Sequence, residues 1–469
     1  MAITAQAGVF SFGPQSAKGV LATDFYKHRG SDIDLATVSD DRLGPPEVGG
    51  VPTPSIPYRA GLMATGGALL NPRLENTLGW LLYGTLGAVN TTADEDVLGN
   101  TVTTMYAHEF KFASDAGYVP WMSFRKWIPG VNAAAQFGEQ YRDCKIVALT
   151  LALPNDGLVN ARVDVLGMAM GQNFFENPSW TYANTQYEDW ESLPIGCVTG
   201  GYLKVPGLSA SALPVTQATI TFQNAPLDIR MEKVFGSPYL EDVTVVGRQM
   251  TVDMVLKWQD PNLYQAILTG STTGTQWTAA PFTSDLDVYT LSSKLAGGVA
   301  PDSPYGLRVL AEEVMYQVVG GIRLAGGQSV MLRVTGTALP GANYYSKILL
   351  GNKATQYSWP AADIVLPDFS AAEIGNEDDN TIVITFTEAI QLEVGTNWML
   401  GFSVEVDAAP YTIVHGYQYA SNKIALVLAT TVTTGEVVTV SYDSATGYVE
   451  DLYGNDLADE IDFSVTNNT

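Results

Sequence analysis

The chain has 469 residues, 49 acidic against 24 basic, and a formal net charge of −25. An average surface of that charge repels phosphate and anionic lipid, which disfavours ordinary nucleic-acid binding. Charged residues make up only 16% of the chain, and the supply of Gly, Thr, Tyr and Val favours strands and turns over long charged helices.

Length allows two to four domains. The cysteines, Cys144 and Cys197, do not make a disulfide framework, and no Cys/His spacing suggests zinc; free thiols in a cytosol-made protein are expected. The first 15 residues lack a basic region ahead of an apolar core, and no run of 18 apolar residues occurs, so neither a standard secretion signal nor a membrane span is expected.

Residues 1–55, with "LGPPEVGGVPTPSIP" at 43–57, read as an extended arm, because each X-Pro step pushes the chain toward β or polyproline geometry. A strand is predicted over "YRAGLMATGGALL" from Tyr58. A helix follows, started at Asn71-Pro72, carrying Leu74, Leu78, Leu81 and Leu82 on one face and ended at Gly84. The alternating segments "MYAHEFKF" and "WMSFRKWI" precede a long hairpin, "CKIVALTLALPNDGLVNARVDVLGMAM", hinged at Pro154–Gly157. About twelve residues per arm at roughly 3.4 Å each reach near 40 Å, more than one small sandwich needs.

The same order then recurs: a strand at 242–258, a Pro-started and Gly-ended helix at 260–270, a strand, and a second long hairpin at 307–339. The returning arms align without gaps. Val163, Val165, Gly167 and Ala169 fall on Leu332, Val334, Gly336 and Ala338, whereas Arg162 and Asp164 on the opposite parity fall on Met331 and Arg333. In the first hairpin Val147, Leu149, Leu151 and Leu153 are expected to cover the core. Ile146, Ala148, Thr150 and Ala152 are expected on a small, lightly polar outer face that meets a neighbour or lines a channel. Glu312 and Glu313 are adjacent, so one at most faces that side. Residues 360–469 change texture to short alternating strands at regular spacing, the pattern of a β-sandwich.

Catalytic patterns are missing. His28, His108 and His415 lie in three segments without partner spacing, and no nucleophile elbow, phosphate loop or dinucleotide fingerprint occurs, so no catalytic residue and no cofactor is expected. Asp451, Asn455 and Asp456, with Asp459 and Glu460, are weak calcium candidates, as is "NEDDN" at 376–380; neither has EF-hand spacing, and a solvated, self-capping turn is the preferred reading. Trp121, Phe124 and Trp127 read as core rather than as a sugar platform.

The order running from "FSFGPQSAKGVLATDFYKHRGSDIDLATV" through the strand and "LENTLGWLLYGTLG" to the long hairpin resembles the tail tube (major tail) proteins of long-tailed bacteriophages over roughly residues 8–340. Asp451, Gly454 and Asn455 before a closing strand resemble the end of bacterial immunoglobulin-like domains. The resemblance implies a mainly β chain: an arm at 1–55, two tandem tube-type β-sandwich/barrel domains at 56–195 and 196–345, each with a flanking helix and a long hairpin, a linker at 346–365 and an Ig-like decoration domain at 366–469. It implies a structural virion protein, made in the host bacterial cytoplasm and located in the tail. Its chains would form stacked, trimeric, pseudo-hexameric rings around a DNA channel. Implied partners are further copies of the chain, the tape measure, terminator and tail tip proteins, and DNA in non-specific passage, with no membrane. Two other readings stand beside it: another self-assembling surface or capsid decoration protein, and a secreted carbohydrate-binding protein or glycosidase.

Overall fold

The computed structural model describes residues 7–469 except 46–47, 49–55, 114–118, 133–134, 169–172, 185, 197–199, 210, 229–230, 234–236, 238, 297–302, 323, 325–328, 358–366, 376–378, 388–389, 393–397, 421, 445, 447–448 and 452–456. The chain divides into two compact units, Met1–Trp359 and Pro360–Thr469.

The first unit opens with β1 (Val9–Pro14), β2 (Tyr26–His28), β3 (Gly30–Ile33), β4 (Ala36–Leu43) and β5 (Pro57–Leu70). Helix α1 (Thr77–Leu86), β6 (Gly87–Glu95), β7 (Thr101–Phe112) and β8 (Met122–Ile128) lead into a hairpin of β9 (Phe137–Pro154) and β10 (Asn160–Met168), with β11 (Asn173–Glu176) after it. Then come β12 (Tyr202–Lys204), β13 (Val215–Pro226), β14 (Val245–Lys257), α2 (Asn262–Thr269), β15 (Thr283–Leu295), β16 (Pro304–Val318), β17 (Met331–Leu339) and β18 (Ser346–Asn352). The first hairpin is longer than its sequence suggests: 18 residues of β9 span about 60 Å at roughly 3.3 Å per residue.

Strand pairing repeats. β4–β5–β10–β9 is matched by β13–β14–β17–β16, and β1–β8–β9 by β12–β15–β16. The returning arms agree in burial as the gapless alignment requires, with Val163, Val165, Gly167, Leu332, Val334, Gly336 and Ala338 all buried; Ala169 lies outside the described residues. The halves are not separate bodies. β13 pairs directly with β9, and Leu149, Leu151, Ile220, Phe222, Met254 and Val334 share one hydrophobic cluster. Each such side chain, fully withdrawn from water, contributes about 1.5–3 kcal/mol.

Three expected boundaries move. Residues 7–45 are not a free arm: Phe10 and Phe12 are buried, β1 pairs with β2 and β8, and β3 and β4 pair with β5, which satisfies the backbone that burial strips of water. Ser346–Asn352, expected as the start of a linker, is β18, paired with β16 on one edge and β7 on the other. Helix α1 begins at Thr77 rather than Asn71 and runs through Gly84 to a left-handed cap at Gly87. Its start is fixed from far away in sequence, where the Glu188 carboxylate accepts the Thr77 N–H (2.9 Å) and the Thr77 hydroxyl (3.1 Å). Helix α2 ends at Gly270 as its sequence predicts.

The second unit contains β19 (Phe369–Ile374), β20 (Thr381–Phe386), β21 (Ile390–Leu392), β22 (Phe402–Val406), β23 (Ala409–Tyr411), β24 (Ile413–Ala420), β25 (Lys423–Leu428), β26 (Val438–Tyr442), β27 (Val449–Asp451) and β28 (Glu460–Asn467). β21 and β27 form a small ladder of their own. The others run in the order β23-β22-β26-β28-β19-β20-β25-β24, joined at the middle by the parallel pair β28–β19. Alternation buries Val404, Val406, Val438, Val440, Ile382 and Ile384 in a core separate from that of the first unit.

Two histidines lie in the first unit's interior. His28 contacts the Thr77 hydroxyl (2.8 Å) and the Asn71 carbonyl (3.0 Å); His108 contacts Thr91 (2.8 Å) and Asn352 (3.1 Å). Burial, aided by Arg73, holds His28 down to about 3, and burial holds His108 down to about 4. Both stay neutral in the folded chain while an unfolded imidazole takes a proton below about 6.5, so stability should fall as pH drops from 7 toward 4. The slope from two such groups approaches about 2.7 kcal/mol per pH unit. Glu188, raised to about 7 by burial and by Glu75, acts in the opposite sense between about 4.5 and 7. The readout is therefore a difference: chemical denaturation at pH 7, 6 and 5 should show a shallower acid loss in His108→Gln than in the parent.

Candidate assembly face

The alternation that buries one side of β5, β10, β9, β13, β14, β17 and β16 leaves the other side partly exposed across both sequence repeats, except at the end of β10 where Leu166 and Met168 are covered by Leu240 and Val243. Of the residues expected there, Ala148, Thr150 and Ala152 on β9 are partly exposed and so are Arg162 and Asp164 on β10; Met331 and Arg333 on β17 are exposed. The structure brings them onto one surface with Thr219 and Thr221 of β13 and Thr335 and Thr337 of β17. Arg162 stands opposite Thr150, and Thr150 in turn meets Thr221 across the junction of the repeats (Oγ1 to Oγ1, 3.2 Å).

Ile146 does not join them. Asp164 faces Ala148 but Val165 faces Ile146, so Val147 is an extra residue that resets the parity of β9. Ile146 is consequently fully buried in the main core, and Val147 packs on the other side against a small cluster of Leu166, Met168, Leu240 and Val243. Strict alternation cannot reveal such a bulge.

The face is electrically paired. Arg162 donates to both oxygens of Asp34 (2.8 and 3.1 Å) and to Asp164 (2.9 Å), and Arg333 lies 3.6 Å from Asp253. The Arg162 guanidinium beside Asp34 holds its carboxyl below the usual carboxylate range, assisted by the Gly67 N–H. Sequence reasoning missed Asp34, which sits in the turn between β3 and β4, 128 residues from its arginine. Beside these two paired arginines the face presents mainly small hydroxyls and methyl groups, a surface with little grip on a polyanion.

The remaining candidates do not converge. Glu312 accepts from the Asn343 N–H, the Asn343 side chain and the Tyr344 N–H, which pins the bend between β17 and β18, while Glu313 stands opposite Leu339. Of the three aromatics expected in the core, Phe124 is buried there, whereas Trp121 and Trp127 are only partly buried. Asp451 closes β27, whereas Asn455 and Asp456 lie outside the described residues; among the described residues no group of three or more His, Cys, Asp or Glu could hold a metal ion. Cys144 is a buried free thiol against Gly167, and burial raises its pKa out of the reactive range. No helix among the described residues is long and apolar enough to cross a membrane.

Comparison with known proteins gives two matches. Residues 5–338 match the family model described as phage tail tube protein, and residues 362–447 match one described as a putative flagellar system-associated repeat. No curated protein matches the chain.

Proposed function

The chain belongs to the phage tail tube protein family, and from that premise we propose that three copies close into a ring with pseudo-sixfold symmetry, that rings stack, and that the paired face of the long hairpins lines a channel for DNA. Membership makes it a structural rather than enzymatic component of the virion tail, one that associates with itself and with other tail proteins.

The observation that carries the proposal is the in-chain repeat. One chain already joins two copies of the strand, helix and long-hairpin unit edge to edge through β9 and β13. A sheet that continued this way without closing would leave long free edges, which are templates for aggregation; closure around an axis removes them. Heterologous contacts related by rotation close into rings. We further propose synthesis in the host cytoplasm, contacts with tape measure, terminator and tail tip proteins, and an external, Ig-like decorating role for the second unit. End-on images of purified assemblies test the ring: three chains per ring support it, and six chains or a flat lattice overturn it.

The lining has a separate test. Thr150→Lys with Thr337→Lys places unpaired cations on the face without touching the core, so tubes should form. Each lysine that contacts phosphate adds about 0.9 to the slope of log affinity against log salt. DNA ejection from particles carrying both substitutions should slow by roughly tenfold or more at low salt and recover at high salt. Unchanged ejection at low salt would place the channel elsewhere.

A further inference from the structure

The seam inside the chain predicts the seam between chains, a step that rests on the ring reading above. Val163 pairs with Ala68 in the first repeat as Leu332 pairs with Leu256 in the second, so Thr65 of β5 corresponds to Asp253 of β14. Their partners on the next strands are Ala36 of β4 and Thr219 of β13. β4 is therefore the first repeat's version of β13. The outer edge of β13 carries β9, from Gln217 opposite Pro154 to Gln223 opposite Ala148. The outer edge of β4 has no partner strand among the described residues, and Val38 and Leu43 on it are 42% and 61% exposed.

The other end of the unit carries the complementary half. Asp164 corresponds to Arg333; opposite the first lies Ala148, and on the carbonyl of the second lies the Val319 N–H (2.9 Å). The edge of β9 that receives β13 thus corresponds to the strip beginning at Val319, just past β16. In the single chain this strip is not a strand. Gly320 sits at φ 73°, Val319 and Leu324 are 43% and 81% exposed, and among the described residues no strand pairs with the far edge of Val319–Ile322.

We propose that the partner of this strip is β4 of a second copy of this chain, paired antiparallel with Asp40 opposite Val319 and Val38 opposite Gly321. This is the register that Gln223–Ala148 and Thr221–Thr150 adopt inside the chain. Each chain then offers one β4 and one strip, a heterologous pair that closes by rotation. Glycines at 320 and 321 let the strip straighten on docking, and no atom lies within 4 Å of a side chain added at either. Backbone bonds supply the affinity and the two exposed valines add apolar contact.

Opposed residues of an antiparallel pair have Cα atoms about 4.5–5.5 Å apart, within the range a disulfide spans. The full-length chain carrying Val38→Cys and Gly321→Cys, oxidised after assembly, should give linked species that stop at three chains. The offset pair Ser39→Cys and Gly321→Cys should give at least tenfold less. Three-chain rings without linkage of the first pair would overturn this contact and leave the ring reading standing. Linked ladders longer than three chains would overturn closure, and absence of rings in images of the unmodified protein would overturn the ring reading itself.

Discussion

A chain ending after Tyr345 should fail to fold, whereas one ending after Trp359 should fold and assemble like the parent. The difference is β18 and the residues behind it. Ile348 and Leu350 are fully buried, β18 bridges β16 to β7, and Asn352 donates to the Leu74 carbonyl at the foot of α1 (2.6 Å) while its side-chain oxygen contacts His108. Tyr357 is fully buried under α1, edge-on to Trp80 and to His108. Losing a buried side chain of this size costs about 2–5 kcal/mol, so losing three approaches or exceeds the roughly 5–15 kcal/mol that holds a domain together. Circular dichroism and sedimentation of the two truncations provide the measurement; a folded chain ending at Tyr345 would show β18 to be an accessory. Tubes from the chain ending at Trp359 would show that the second unit decorates them rather than bridges their subunits.

Gly67→Val should cost on the order of 3 kcal/mol or more and disable assembly. A Cβ at Gly67 would stand 1.9 Å from the Val163 carbonyl oxygen, a backbone atom on the neighbouring strand that cannot move without opening β5 from β10. The neighbouring Gly66 adopts φ 111°, a conformation that side chains rarely tolerate. Together they let the turn before β4 approach: Asp34 accepts the Gly67 N–H (2.7 Å), the Gly67 carbonyl accepts the N–H groups of Asp34 and Leu35, and Asp34 then holds Arg162. Thr65→Val, two residues away on the same face, is the control and should fall within about 1 kcal/mol of the parent. Urea denaturation compares the two; equal midpoints would mean that the strands part locally at little cost.

Much of this was legible in the residues because burial imposes period two on a strand. Leu149, Leu151 and Leu153, and likewise Leu332, Val334 and Ala338, announce which side of each hairpin is wet, and their recurrence announces the repeat. Helix α2 was legible for a similar reason: Pro261 and Gly270 restrict where a helix can begin and end. The illegible parts depend on partners distant in sequence. The N-terminal segment looks irregular because its strands are short and many of its side chains are polar, yet its backbone is paired by β5 and β8, which no local pattern encodes. Glu188 caps a helix 111 residues away, and Asp34 neutralises an arginine 128 residues away.

The sequence alone therefore determined the mainly β class of the protein, its repeat and the parity of its long hairpins beyond the bulge at Val147, since all three follow from the local alternation of apolar and polar side chains. Tertiary structure decided the rest. It fused two repeats into one core through β9 and β13, reset the face of Ile146 with a single extra residue, and drew β18 in from the expected linker. Those outcomes turn on which backbone edge finds which partner, and every residue but proline offers the same N–H and C=O to that edge.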